Sequence, residues 1–228
     1  MPKCNILDEN IYYFTETISD PKKLLEYIYE TDSYPIQNVV TPWMEWKSSH
    51  ESPEEKPFIY GKRKMFNIAN EDDFNKYDKL AYIINEIKGA TRYACSEYKK
   101  SKGISDKIFN YPNFMVSMYN TGLEMGLHHD TSDGDPLLKF SLVTYLNDDY
   151  EGGEIEFPNL NIKIKPSAGS TIIFPSTYPY EHTSRKIEKG FKYMTTSFWL
   201  NDPSTIDVEK FSHINILKEK EQMEEYNV

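Results

Sequence analysis

In the stretch Tyr119-Asn120-Thr121-Gly122-Leu123-Glu124-Met125-Gly126-Leu127-His128-His129-Asp130, two polar side chains stand at a spacing that suits metal chemistry. His128 and Asp130 are two residues apart at the end of an extended run. On an extended backbone, side chains at i and i+2 leave from the same face. One imidazole and one carboxylate therefore converge on a point. A second histidine would complete a set of two nitrogens and a carboxylate on one face of an ion. That arrangement holds Fe(II) and leaves the opposite positions open for substrate and oxygen. Without the second histidine, a His-x-Asp pair is most simply a hydrogen-bonded surface pair.

Five histidines occur: His50, His128, His129, His182 and His213. His182 follows His128 by 54 residues (182 − 128). Three strands and their turns fit in that gap, so strands well separated in the chain can bring His182 beside His128 and Asp130. His129 is expected to point the other way, as a packing or supporting residue. His50 and His213 are expected to be surface histidines. Lys192 adds a second feature: on a strand over residues 191–200 it shares a face with Met194, Thr196 and Phe198. A lysine pointing into a barrel is costly unless an anion pairs with it. An inward cation near a metal site points to a bound dicarboxylate.

The elements that must position these groups can be read from periodicity and turn signals. Residues 112–201 are strand-rich. Asn113 to Tyr119 alternates, with Met115, Ser117 and Tyr119 on one face and Phe114, Val116 and Met118 on the other. Strands are expected over Lys139 to Asn147, Glu154 to Phe157, Ile162 to Lys165, Ser170 to Phe174 and Phe191 to Leu200. Gly152-Gly153, Pro158-Asn159, Gly169 and Glu188-Lys189-Gly190 mark turns between them. Short strands at regular spacing suggest a jelly roll. Before this block, Ile11 to Phe14 reads as a strand. Asp20 reads as an N-cap, with Pro21 at the first helical position and Leu24, Leu25 and Ile28 as the buried stripe. A longer helix is expected over Asp72 to Lys100, with Gly89 as a possible interruption. Four prolines and two tryptophans, Trp43 and Trp46, make Thr31 to Pro57 an irregular segment. Its tryptophans either anchor it to the core or flap over a substrate groove.

The fold class is therefore α+β, mainly β: a double-stranded β-helix (jelly roll) core with supporting N-terminal helices. Residues 1–228 read as a single domain. Within it, 1–110 hold the N-terminal strand, helices and irregular segment, 111–201 the jelly-roll core, and 202–228 a charged tail that is helical or disordered. The composition is 39% apolar and 14% aromatic, enough for a sizeable core. No apolar run is long enough to span a bilayer, and the N-terminus lacks a signal-peptide core, so a cytoplasmic location is expected. Cys4 and Cys95 read as free thiols. A net charge of −10 counts against non-specific nucleic-acid binding.

In order and spacing, residues 112–200 resemble the catalytic domain of Fe(II)- and 2-oxoglutarate-dependent dioxygenases, of the prolyl 4-hydroxylase branch. The matching segments are Tyr119 with Gly122; His128-His129-Asp130; Ser141-Leu142-Val143-Thr144-Tyr145-Leu146-Asn147; Gly152-Gly153-Glu154; Pro166 with Ala168-Gly169; Phe174-Pro175; and His182 through Gly190, Lys192, Tyr193 and Trp199. The resemblance implies that His128, Asp130 and His182 are the iron ligands. It implies that Lys192 and Tyr119 bind the distal carboxylate of 2-oxoglutarate. Fe(II), 2-oxoglutarate and O2 are the implied cofactors, with ascorbate as a further candidate. The implied activity is hydroxylation of a protein or peptide at proline, as in procollagen-proline 4-dioxygenases. Two positions depart from the pattern. Met125 stands where an aromatic is common near the substrate, which leaves room for residues other than proline. Ile155 replaces a threonine near the cosubstrate. Two other readings stay open: the same iron chemistry in oxidative demethylation of nucleic acid, against which Lys192 and the acidic balance count, and a non-catalytic metal- or partner-binding jelly roll. Residues 33–66 and the loop Thr131 to Leu138 are expected to frame a substrate groove.

Overall fold

The computed structural model describes residues 2–31, 40–47, 59–67, 77–105, 107–110, 113–131, 138–200 and 224–226. His50, His213, Phe74 and most of the loops at 33–66 and 131–138 lie outside them.

The chain begins with an antiparallel pair, β1 (Lys3–Asp8) and β2 (Ile11–Thr15). Helix α1 (Pro21–Glu30) follows. The Asp20 side chain accepts the Lys23 amide at 3.0 Å and Pro21 opens the first turn, as the sequence predicts. Its Leu24 and Ile28 are fully buried, each stabilising the fold by roughly 1.5–3 kcal/mol. The segment expected to be irregular contains an edge strand, β3 (Met44–Lys47), paired antiparallel with β4 (Ile59–Asn67). Helix α2 (Asp78–Lys102) runs through Gly89 without a break, because that glycine is exposed with nothing near it, and ends at Gly103 in the left-handed conformation. No helix is long and apolar enough to cross a membrane among the described residues.

The remaining strands are β5 (Ile108–Asn110), β6 (Asn113–Asn120), β7 (Met125–His128), β8 (Leu138–Tyr145), β9 (Glu151–Gly152), β10 (Ile155–Phe157), β11 (Ile162–Ile164), β12 (Ser170–Pro175), β13 (His182–Ser184), β14 (Ile187–Lys189), β15 (Phe191–Leu200) and β16 (Glu224–Tyr226). The charged tail thus contributes a strand, where the sequence suggested helix or disorder: β16 pairs with β5.

Among the described residues, a large antiparallel sheet runs in the order β1-β2-β12-β8-β15-β6-β4-β3, with β5 and β16 beside the end of β15. A smaller sheet, β11-β10-β13-β7, lies over it, and β14 pairs with β9. Two sheets whose strands come from alternating parts of the chain make the jelly roll that the strand spacing predicts. The helices cover the outer face of the large sheet. There Val116 and Tyr193 pack with Leu80, Ile84 and Ile87 of α2 and with Leu24 and Ile28 of α1. The inner face packs against the small sheet, where Val143, Tyr145, Ile172 and Phe174 meet Ile155, Phe157 and Ile187. Alternation along each strand separates these two cores. Cys4 and Cys95 are free thiols, the first exposed and the second buried.

Candidate active site

The cavity between the two sheets encloses about 320 Å³. The end that gathers His128, Asp130 and His182 is built mainly on the small sheet. His128 is the last residue of β7, and His182 the first of β13. The two strands are antiparallel neighbours with His182 opposite His128, so their rings lie 4.4 Å apart. Asp130 sits two residues past His128, where its backbone N–H and that of Thr131 both donate to the Ser176 carbonyl at 3.1 Å. Ser176 follows β12, so the large sheet holds the loop that carries the carboxylate. Its hydroxyl shares a 2.8 Å hydrogen bond with Ser141 of β8.

The imidazole Nε2 atoms of His128 and His182 lie 3.5 and 3.9 Å from the two oxygens of the Asp130 carboxylate. One ligand atom from each of the three residues falls within 4.8 Å of the others. The orientation of each ring follows from its other nitrogen. Nδ1 of His128 meets the Gly126 carbonyl at 2.8 Å, and Nδ1 of His182 meets the Tyr180 carbonyl at 3.2 Å. A carbonyl only accepts, so each Nδ1 donates, which leaves Nε2 as the nitrogen that faces the carboxylate. Burial pushes His182 down to about 4, against the pull of Asp130. The ring packs against Phe157 and Phe174, 5.6 and 4.7 Å between centres. Burial also lowers His128, but its hydrogen bonds to Asp130 and the Gly126 carbonyl outweigh that and leave it raised. For Asp130, burial works toward the neutral form. Hydrogen bonds from His128 and Ser141 and the field of His182 overcome it and hold the carboxyl below its ordinary range. Two imidazole nitrogens and an ionised carboxylate on one face fit a divalent iron, which would take the place of any proton on Nε2.

The opposite end of the cavity is built on the large sheet. Lys192, Met194, Thr196 and Phe198 all line it from β15, as alternation predicts. Lys192 is 1% exposed. Its ammonium donates to the Gly153 carbonyl and to Ser184 Oγ, both at 2.8 Å, and lies 5.3 and 5.9 Å from the rings of Tyr145 and Tyr119. Burial, then the neighbouring Lys165, pushes it down to about 7, with Glu154 opposing. Gly153 presents its carbonyl because the turn Gly152-Gly153 is left-handed, φ 73° and 68°. A side chain at Gly152 would run into the Lys186 carbonyl. The cation has neutral hydrogen-bond partners, so a carboxylate in the cavity fits it.

His129 also lines the cavity. The sequence had turned it away, but the strand stops at His128 and strict alternation no longer holds beyond it. Trp43 and Trp46 split the two roles weighed for them. Trp43 packs into the core beside Tyr193, 6.3 Å between ring centres, whereas Trp46 lines the cavity. Met125 and Ile155, the two departures from the family pattern, both face the cavity. Sequence reasoning missed Tyr145 and Arg63 as cavity residues. For Tyr145 a signal existed, since it alternates with Ser141 and Val143 on β8. Arg63 lay outside the strand-rich block.

The model of the 2OG-Fe(II) oxygenase superfamily matches residues 114–201. That span contains His128, Asp130, His182, Tyr119 and Lys192. No curated protein matches the chain. Among solved structures, a viral collagen prolyl hydroxylase from Paramecium Bursaria Chlorella virus-1 is similar over 87% of this chain and 99% of its own, at 17% identity and a TM-score of 0.55. A prolyl hydroxylase from Trichoplax adhaerens, solved with a peptide fragment of the hypoxia inducible factor oxygen degradation domain, is similar over 90% of this chain and 86% of its own, at 14% identity and a TM-score of 0.61. Residues 114–201 thus match the 2OG-Fe(II) oxygenase superfamily, and the fold of the chain is similar to that of these two prolyl hydroxylases. Fe(II), 2-oxoglutarate and O2 are the cofactors of that superfamily.

Proposed function

We propose that this chain is a dioxygenase that hydroxylates a protein or peptide at proline, with Fe(II) held by His128, Asp130 and His182. The observation that carries the reading is the pairing within one cavity. Three ligand atoms lie within 4.8 Å at one end, and a buried lysine with neutral partners stands at the other. Lys192 would pair with the distal carboxylate of 2-oxoglutarate, and the Tyr119 and Tyr145 rings would flank it. Bound iron, with 2-oxoglutarate and O2, supplies oxidative decarboxylation of the cosubstrate coupled to insertion of one oxygen atom into a C–H bond.

The chain's own residues do the positioning. The Nδ1 hydrogen bonds to Gly126 and Tyr180 fix which nitrogen each histidine offers. Ser176 holds the Asp130 loop. Phe157 and Phe174 shield His182 from water, and Met125, Ile155 and Met194 give the cavity an apolar wall. The prolyl assignment draws on the prolyl-hydroxylase-like fold and on the Trp46 indole that lines the cavity. The test is to incubate the iron-loaded chain with 2-oxoglutarate and proline-containing peptides, and to follow succinate release and the mass gain of one oxygen atom. Succinate release without oxygen gain on any proline peptide, together with oxygen gain on another substrate, would overturn the prolyl assignment and leave the oxygenase.

A further inference from the structure

Trp46 and Arg63 are diagonal neighbours on the cavity face of the β3–β4 pair. Trp46 stands opposite Gly61 and Arg63 opposite Met44. With no side chain at Gly61, the space over the indole is left to Arg63. Its guanidinium carbon lies 3.1 Å from the centre of the Trp46 ring. Trp46 in turn stands edge-on to Tyr119, 6.2 Å between centres at 88°. On its other side Arg63 pairs with Ser117 of β6, the strand whose Met115 and Tyr119 also face the cavity. The guanidinium is thus a second inward cation in the cavity that holds His128, Asp130 and Lys192.

Among the described residues, no carboxylate pairs with Arg63. Its Nε is sealed from solvent and makes no hydrogen bond, and its neighbours are the indole face and the Tyr119 phenol. An inward cation without an acid is costly. A guanidinium stacked on an aromatic ring keeps its planar fork oriented, and that fork matches a carboxylate with two parallel hydrogen bonds. Lys192 is two strands away, on β15 across β6, and is the cation assigned to the cosubstrate. Arg63 therefore faces a different anion.

We propose that Trp46 and Arg63 form a substrate subsite for a carboxylate, so that the substrate carries an acidic group near the carbon that is hydroxylated. The acid is an Asp or Glu side chain or a free chain terminus. This deepens the functional reading above and rests on the cavity taking a substrate beside the metal.

The test uses the full chain with Fe(II) and 2-oxoglutarate, without oxygen, titrated calorimetrically with matched short peptides. Twins differ only in Glu against Gln directly before or after a central proline. A second series has alanine at the centre, and a third compares a free C-terminal carboxylate with its amide. At least one acidic member should bind about tenfold tighter than its neutral twin, as one charge-assisted pair predicts. The second and third series tell a side chain from a terminus. Arg63→Gln should bring the ratio to about one, while Arg63→Lys, which keeps the charge and much of the stem, should keep part of it. Thermal melts of both variants report folding.

Equal binding of every twin, or an unchanged ratio in Arg63→Gln, overturns the subsite. So does a loss of 2-oxoglutarate affinity in that variant with the twin ratio intact, which would assign Arg63 to the cosubstrate. Acid preference without oxygen gain at proline sinks the prolyl reading alone. Oxygen gain at proline with equal twins sinks the subsite alone.

Discussion

The metal end and the lysine end of the cavity sit on different sheets and balance charge differently. At the metal end, the carboxylate of Asp130 already lies between two imidazoles, and each imidazole is braced by a backbone carbonyl. That end is polar but internally compensated. At the lysine end a fully buried ammonium donates to a carbonyl and a hydroxyl, and among the described residues no carboxylate lies within ion-pair distance of it. The first end is organised before any ligand arrives. On the proposed function the second would be completed by a dicarboxylate, whose binding should stabilise that end most.

The comparison breaks most visibly at His182. His182→Ala should lower succinate release by more than roughly 100-fold, beyond what loss of a supporting residue costs at a metal site. Far-UV circular dichroism should still report the strand-rich fold, and full activity in this variant would remove His182 from the ligand set. Next in size, Lys192→Ala should raise the 2-oxoglutarate concentration for half-maximal rate by roughly 10- to 100-fold, the loss of one charge-assisted hydrogen bond. Iron binding, followed by anaerobic titration, should be unchanged. An unaltered cosubstrate requirement would mean that the lysine end holds no carboxylate.

A pH series sharpens the same contrast. Lys192 is held at about 7 in the fold and near 10.5 in an unfolded chain. Between those values the unfolded chain binds the extra proton, so stability should rise with pH. In urea melts at about pH 7 and about pH 9, ligand-free protein should gain up to a few kcal/mol. Lys192→Met, or saturating 2-oxoglutarate, should flatten that slope. The metal end moves over a different range. His182 is held at about 4, against 6.5 when unfolded. The unfolded chain therefore takes the proton first as pH falls from about 6.5 toward 4, and both stability and iron uptake should fall with it. The smallest effect is expected for Ser141→Ala, which removes a hydrogen bond that helps keep Asp130 ionised. It should weaken iron affinity by roughly tenfold or less, read by chelator competition. No change at all would mean that the histidines alone hold the carboxylate.

The parts of this design legible before the fold are those governed by local geometry. The two-residue spacing put His128 and Asp130 within reach of one point, although β7 ends at His128 and the Ser176 carbonyl holds the Asp130 loop. Alternation on residues 191–200 turned Lys192 inward with Met194, Thr196 and Phe198. Asp20 and Pro21 announced the start of α1. Each of these depends on backbone geometry within a few residues, which the amino-acid types dictate directly. Other parts depend on which strands become neighbours. His182 becomes a partner only because β13 pairs with β7 in the small sheet. His129 enters the cavity because the strand ends one residue earlier. Arg63 and Trp46 reach the site because β4 joins β6 at the edge of the large sheet, although their segment reads as irregular from its prolines. Strand pairing is set by the burial of whole faces, summed over residues far apart in the chain. The local pattern therefore determined the direction of side chains inside regular strands, and only the tertiary structure decided where those strands end and which side chains meet.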